Sequence, residues 1–141
     1  MRDWSIATVQ TDLPATVIFE AHFLRGLVLE TLHRSKAAIQ PFMKALWIAS
    51  STADIPNELL AVTMHHLGKC YGANGNYEDA TKLLERALFA YEQSHVPKRH
   101  SCVADAQSMI RRLKEVRKTV VCNGNRRLSF IAAEEEELML H

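Results

Sequence analysis

The sequence matches itself when it is shifted by 42 residues, and this internal repeat constrains the fold more than any other feature. The matches fall on small and apolar residues, which close packing restricts most. They pair Gly26 with Gly68, Ala38 with Ala80, Ala45-Leu46 with Ala87-Leu88, and Asp12-Leu13-Pro14 with Asp54-Ile55-Pro56. A fixed repeat of this length predicts a stack of similar units that share one continuous core.

Each unit is predicted to be a pair of helices. Leu60, Met64, Leu67 and Tyr71 are spaced by four, three and four residues, which places them on one face of a helix. The Gly- and Asn-rich segment 72–76 follows and predicts a turn, because these residues tolerate left-handed backbone. A second helical stripe comprises Ala80, Leu83, Leu84, Ala87, Leu88 and Tyr91.

The segment Leu67–Leu88 resembles the tetratricopeptide repeat. The matching residues are Leu67-Gly68, Tyr71, Gly75, Tyr77, Ala80 and Ala87. The period of 42 residues is longer than the usual ~34 of that family and is similar to the long repeats of kinesin light chains. The resemblance implies an all-α fold, an α-solenoid of antiparallel helix pairs that forms a right-handed superhelix.

The first and third units are weaker copies of the second. The first keeps Gly26, Ala38 and Phe42, but Pro41 lies inside its second helix. Proline at such a position predicts either a kink or a later start of that helix. The third unit keeps helical spacing without the glycine or the second-helix alanine.

The predicted repeat domain covers residues 1–120. Its units are a partial repeat at 1–14, full units at 15–55 and 56–96, and a capping helix at 97–121; residues 122–141 are predicted to be a flexible or marginally helical tail. Since 1–14 matches only the end of a unit, we expect an exposed apolar patch around Trp4 and Ile6. More sequence or a second copy of the chain would cover it, so self-association through the N-terminal end is expected.

The resemblance implies a binding groove lined by the first helix of each unit, and hence a scaffold that binds a peptide or helix of a partner protein. The implied groove residues are Glu20, Phe23, Leu27, Glu30, Val62, His65, Lys69, Ala104, Gln107 and Arg111. This lining is apolar at one end and basic at the other, which suits a peptide with an apolar anchor and a nearby acidic group. Alternatively, these are ordinary solvated helix positions, or the chain is a non-autonomous piece of a larger repeat protein.

Charge and hydropathy argue against nucleic acid and membranes as partners. The net charge is +1, and no apolar run reaches the ~18 residues of a membrane span. Three widely spaced cysteines do not indicate a disulfide framework. The segment Met1–Thr11 carries Asp3 and lacks a long apolar run, so we expect no signal peptide there. The expected location is the cytoplasm, with the nucleus as the alternative.

No motif for catalysis, cofactor binding or metal binding stands out, so we expect no enzyme and no cofactor. His66 and Cys70 share a helix face, but two ligands do not make a zinc site. The basic run Arg111–Lys118 is interleaved with Leu113 and Val116, which favours a capping helix with a polar outer face. An RNA-binding helical repeat remains the alternative for this run.

The tail has two features of its own. Ser129 follows Arg126-Arg127-Leu128, a pattern that resembles the sites of basophilic kinases, so Ser129 is a candidate phosphorylation site. Glu134–Glu137 is flanked by apolar residues and complements Lys69 and Arg111. The tail is therefore a candidate occupant of the groove, in its own chain or a neighbour; the alternative is an inert end.

Overall fold

The computed structural model describes residues 13–119, and every regular element in that range is an α-helix. The helices are α1 (Ala15–Thr31), α2 (Ser35–Ser51), α3 (Asn57–Ala73), α4 (Tyr77–Gln93) and α5, described over residues 101–119. Short turns join α1 to α2 and α3 to α4, and the joined helices pack along their lengths as antiparallel pairs. The all-α prediction is confirmed. Within the described range, no helix has the length and apolar character needed to cross a membrane.

The repeat is visible in the helix bounds. Both α3 and α4 begin and end 42 residues after α1 and α2. The last described helix keeps this register at its buried positions. Val103, Ala106, Ile110 and Leu113 lie 42 residues after Ala61, Met64, Gly68 and Tyr71.

Three of the helices end in the same way, with a residue in the left-handed region. His33, Gly75 and His95 have φ angles of 59°, 89° and 58°. In the first turn, the His33 amide donates to the carbonyl of Glu30 and the Arg34 amide donates to that of Leu29. This pair of bonds is a Schellman motif, which satisfies the last carbonyls of the helix and reverses the chain.

Close packing within each pair depends on a glycine. A Cβ atom built on Gly26 would lie 2.7 Å from the ring of Phe42, and one on Gly68 would lie 2.9 Å from Cγ of Leu84. Phe42 and Leu84 are fully buried and occupy equivalent positions in α2 and α4. In each unit, therefore, a large side chain of the second helix fills the space left by a glycine of the first.

Most of the residues that the repeat pattern of the second unit would place between its two helices are buried. Met64, Leu67, Gly68, Ala80, Leu84 and Ala87 are buried. Tyr71 and Leu88 are only half-buried, because they lie at the edges of the clusters that join α4 to its neighbours.

Pro41 does not mark a late helix start. Helix α2 begins at Ser35 and runs through Pro41, which is buried. Proline lacks an amide hydrogen, so the helix loses one backbone hydrogen bond at this position. Packing of the buried face of α2 outweighs that loss.

Enlarging Gly68 tests the packing between α3 and α4. We expect Gly68→Leu to lower the free energy of unfolding by about 1–3 kcal/mol, because the new side chain would overlap Leu84. The matched control is Ala73→Leu, at an exposed position of the same helix, with an expected change within about 0.5 kcal/mol. Urea denaturation of both variants is the measurement. Equal stabilities would show that the crossing is not packed as described.

Candidate protein-binding face

The residues predicted for the groove lie on three helices that stand side by side. We call this surface the first-helix face. It comprises Glu20, Phe23, Leu27 and Glu30 of α1, Val62, His65 and Lys69 of α3, and Ala104, Gln107 and Arg111 of α5. Their exposure differs widely, so they do not share one role.

Glu30 joins α1 to α3. Its carboxylate lies 2.8 Å from Nδ1 of His66 and 3.4 Å from Nζ of Lys69. Burial raises the pKa of Glu30, but the hydrogen bond and charge of His66, together with Lys69, outweigh it and lower the pKa below its ordinary value. The carboxylate is therefore ionised at neutral pH and holds both partners on α3.

His65 joins α3 to α4 and α5. Its Nε2 lies 2.8 Å from Oδ2 of Asp105, and its Nδ1 lies 3.1 Å from the hydroxyl of Tyr91. Burial lowers the pKa of His65 despite the hydrogen bond and charge of Asp105. A neutral ring satisfies both contacts, with Nε2–H donating to the carboxylate and Nδ1 accepting from the hydroxyl.

The pKa of His65 predicts that the chain loses stability on acidification. A histidine whose pKa is lower in the folded chain lets the unfolded chain bind the proton first, below about pH 6.5. The free energy of unfolding should therefore fall as the pH decreases from that value toward the folded pKa. Replacing His65 with glutamine should flatten this dependence, as measured by urea denaturation at several pH values. Parallel curves for wild type and variant would contradict the assignment.

The apolar members of the face also belong to the core. The ring of Phe23 lies 5.6 Å from that of Phe19, 5.8 Å from that of Phe42 and 5.7 Å from that of His66. Leu27 packs against the cluster around Phe42. Both side chains remain half-buried, so each still presents part of its surface to solvent.

The residues that are open to a partner lie at the two ends of the face. Glu20 on α1 and Gln107 and Arg111 on α5 are exposed, whereas the side chain of Lys69 is 39% exposed and already contacts Glu30. His65 is 7% exposed with both ring nitrogens engaged, so it supports the face instead of offering a contact.

Three residues of this arrangement were missed by the sequence analysis. His66, Tyr91 and Asp105 each complete a contact to a predicted face residue. His66 was considered as a metal ligand or as a surface or groove histidine, without its contact to Glu30. Its position next to His65 was the available signal, since adjacent residues of one helix reach different neighbours.

Cys70, which was considered together with His66 as a metal ligand, lies in an environment that disfavours a thiolate. Cys70 is buried, and burial raises the pKa of its thiol to about 11. In the described part of the chain, no three His, Cys, Asp or Glu residues are placed to hold a metal ion. The predicted sites at Trp4, Ile6, Ser129 and 134–137 lie outside residues 13–119.

A second surface stands out on α1. Four large apolar residues are exposed along this helix and at its C-cap, and we call them the α1 stripe: Val17 at 44%, Leu24 at 58%, Val28 at 58% and, at the C-cap, Leu32 at 60%. The residue of α3 equivalent to Val28 is Cys70, which is 1% exposed because the preceding unit covers it. Leu24 corresponds to His66, which stacks on Phe42, so Leu24 and Val28 occupy positions at which a preceding unit packs.

Comparison with known families identifies the repeat. The family model of the tetratricopeptide repeat matches residues 18–93, which is more than half of the chain. The chain belongs to the tetratricopeptide repeat family. The match begins in the first turn of α1 and ends with the last residue of α4, so it takes in both helix pairs except for residues 15–17.

A solved structure has the same tetratricopeptide-like arrangement of helices. The crystal structure of the apo form of RapI is similar with a TM-score of 0.64 and 22% identity. The similarity covers 87% of this chain and 43% of that chain, so this chain spans less than half of the length of the protein it resembles. No curated protein matches this chain in sequence. Tetratricopeptide repeats generally mediate binding between proteins, which is the coarse function that membership indicates.

Proposed function

We propose that this chain is a protein-interaction scaffold whose first-helix face binds an extended peptide segment of a partner protein. Family membership supports the general role, because arrays of this kind present their first helices as a binding surface. The observation that supports this particular face is the pair of polar contacts across it. Glu30 joins α1 to α3, and His65 joins α3 to α5.

These contacts make the face rigid before a partner binds. Each one connects first helices of neighbouring units; Glu30 and His66 are half-buried, and the buried His65 meets the exposed Asp105. A surface that is already ordered loses less conformational entropy on binding, and this raises affinity without new contacts.

The two ends of the face define the chemistry of the partner. Phe23 and Leu27 offer apolar surface on α1, while Arg111 offers a guanidinium on α5. Neighbouring helices are about 8–10 Å apart, so the face is roughly 20 Å wide and suits about six residues of extended chain. The proposed peptide has an apolar residue near one end and a carboxylate near the other.

Charge reversal at Arg111 tests the proposal. Arg111→Glu should reduce capture of the partner from cell extract at least about tenfold, as expected when a charged contact becomes repulsive. Lys98→Glu is the matched control, since Lys98 is exposed in the loop between α4 and α5. Reversal at Lys69 is less suitable, because a carboxylate there would face Glu30 and disturb the face itself. Equal capture by both variants would move the site away from the first-helix face.

We also propose that the chain associates with itself through the α1 stripe. Its exposed apolar residues are uncharged and lie on one side of the helix, so two copies can bury them against each other.

RNA binding remains the alternative function for the basic helix α5. It predicts binding to RNA homopolymers that weakens steeply with salt, whereas the scaffold proposal predicts no such binding. We further propose a chain without catalytic activity, cofactor or metal, located in the cytoplasm or nucleus, with phosphorylation at Ser129. We also propose the unit boundaries predicted from the sequence: a partial repeat at 1–14, units at 15–55 and 56–96, a capping helix at 97–121 and a tail at 122–141.

A further inference from the structure

Two surface grooves on the second helices repeat with the period of the sequence. We call them the outer notches. The first has a volume of about 400 Å³ and is lined by His22, Gln40, Met43, Lys44, Trp47 and Ile48. The second has a volume of about 620 Å³, and its lining includes the residues 42 positions later: Met64, Lys82, Glu85, Arg86, Phe89 and Ala90. Every lining residue of the first notch therefore has its counterpart in the second.

Each outer notch contains an exposed aromatic side chain and a cation. Trp47 is 72% exposed and Phe89 is 63% exposed, and neither belongs to a buried cluster. Lys44 and Arg86 lie three residues before them, which places cation and ring on the same helix face. Aromatic residues exposed in this way contribute little to the fold and are the residue types that dominate binding surfaces.

The charges of the outer notches favour an anionic occupant. Lys44, Lys82 and Arg86 supply three cations, of which Lys82 also lies 3.5 Å from Oε1 of Glu78, while Glu85 is the acidic lining residue. Glu85 itself lies 3.5 Å from Nζ of Lys114 on α5, which offsets its charge. An occupant that matches both features has carboxylates together with apolar side chains.

The chain itself contains such a segment. Residues 131–140 read Ile-Ala-Ala-Glu-Glu-Glu-Glu-Leu-Met-Leu, with four carboxylates between apolar ends. The described part of α5 runs beside α4, where Arg117 lines a groove with Glu78 and Asp79 at the start of α4. From there Phe89 lies roughly 15–17 Å along the helix. The residues between 119 and 131 can span up to ~40 Å, so the segment reaches the second notch, and its own ten residues extend up to ~33 Å further toward the first.

We propose that residues 131–140 of this chain dock on its own outer notches. Their apolar side chains lie against Trp47 and Phe89, and their carboxylates face Lys44, Lys82 and Arg86. This assignment replaces the first-helix face as the binding surface for the tail, because Lys69 on that face is already engaged by Glu30. The docked segment leaves the first-helix face open to a partner.

The emission of Trp47 reports docking directly. The experiment uses the full chain with Trp4→Phe, so that Trp47 is the one remaining tryptophan. Changing Glu134–Glu137 to glutamine should lower the ratio of docked to undocked chain about fivefold, because a few exposed charge pairs together stabilise a docked state by about that factor. The emission should shift to the red and acrylamide should quench it more strongly. Lys44→Glu should have the same effect, and Lys98→Glu should have none.

Three outcomes overturn the proposal. Quenching that is unchanged by the glutamine substitutions would show that the segment does not cover Trp47. Quenching that depends on protein concentration would assign the contact to a second copy of the chain. Equal effects of Lys44→Glu and Lys98→Glu would show that the response is not specific to the notch. Added salt should increase quenching of the parent chain, since exposed charge pairs are screened.

Discussion

Replacing Phe42 with alanine should lower the free energy of unfolding by about 3–5 kcal/mol. Phe42 is 0% exposed, and its ring fills the space above Gly26. It also stacks on the ring of His66 at 5.5 Å and meets Phe23 edge to face at 5.8 Å. Alanine would leave a cavity at the point where α1, α2 and α3 meet, so the loss extends beyond one helix pair.

The control for this prediction is Lys36→Ala, an exposed position of the same helix, which should change stability by less than about 0.5 kcal/mol. Urea denaturation followed by circular dichroism measures both variants. A Phe42→Ala variant as stable as the control would contradict the packing of α2 on α1.

Charging the α1 stripe should convert the chain from an associated form to a monomer. Leu24 and Val28 are each 58% exposed and lie four residues apart, so they share one face of α1. Glutamate at both positions would place two carboxylates of one copy against the two equivalent carboxylates of the other. Burying unpaired charges in this way is strongly unfavourable. Sedimentation equilibrium of the wild type and of the double variant is the measurement.

Two further glutamates at exposed positions elsewhere provide the matched control. Ala53→Glu with Ser101→Glu adds the same charge away from α1 and should leave association unchanged. A wild-type chain that is monomeric at every concentration would contradict self-association through the α1 stripe.

The fold was largely predictable because packing restricts the repeated positions. Gly26 and Gly68 were aligned by the sequence shift, and both lie under a large side chain of the partner helix. The effect of Pro41 was not predictable in the same way. Proline has a low propensity for the interior of a helix. Only the burial of the surrounding face explains why α2 continues through Pro41.

The candidate face was less predictable, because periodicity gives the side of a helix and not the contacts of a side chain. Glu30 and Lys69 were predicted as separate groove residues, yet they pair with each other across α1 and α3. The outer notches were missed although a signal was present. Trp47 and Phe89 are aligned by the same shift. They were not noticed because the repeat was recognised from small and apolar residues, which indicate the core and not the exposed surface.

Photo-crosslinking at Gln107 and Glu20 tests the central claim most directly. Both residues are exposed, and they lie at opposite ends of the first-helix face, on α5 and α1. A photoreactive amino acid at either position should crosslink the same partner protein in cell extract. The same group at Lys36 or Lys98, both exposed and away from the face, should not crosslink it. A partner captured at Lys36 or Lys98 but at neither face position would contradict the account.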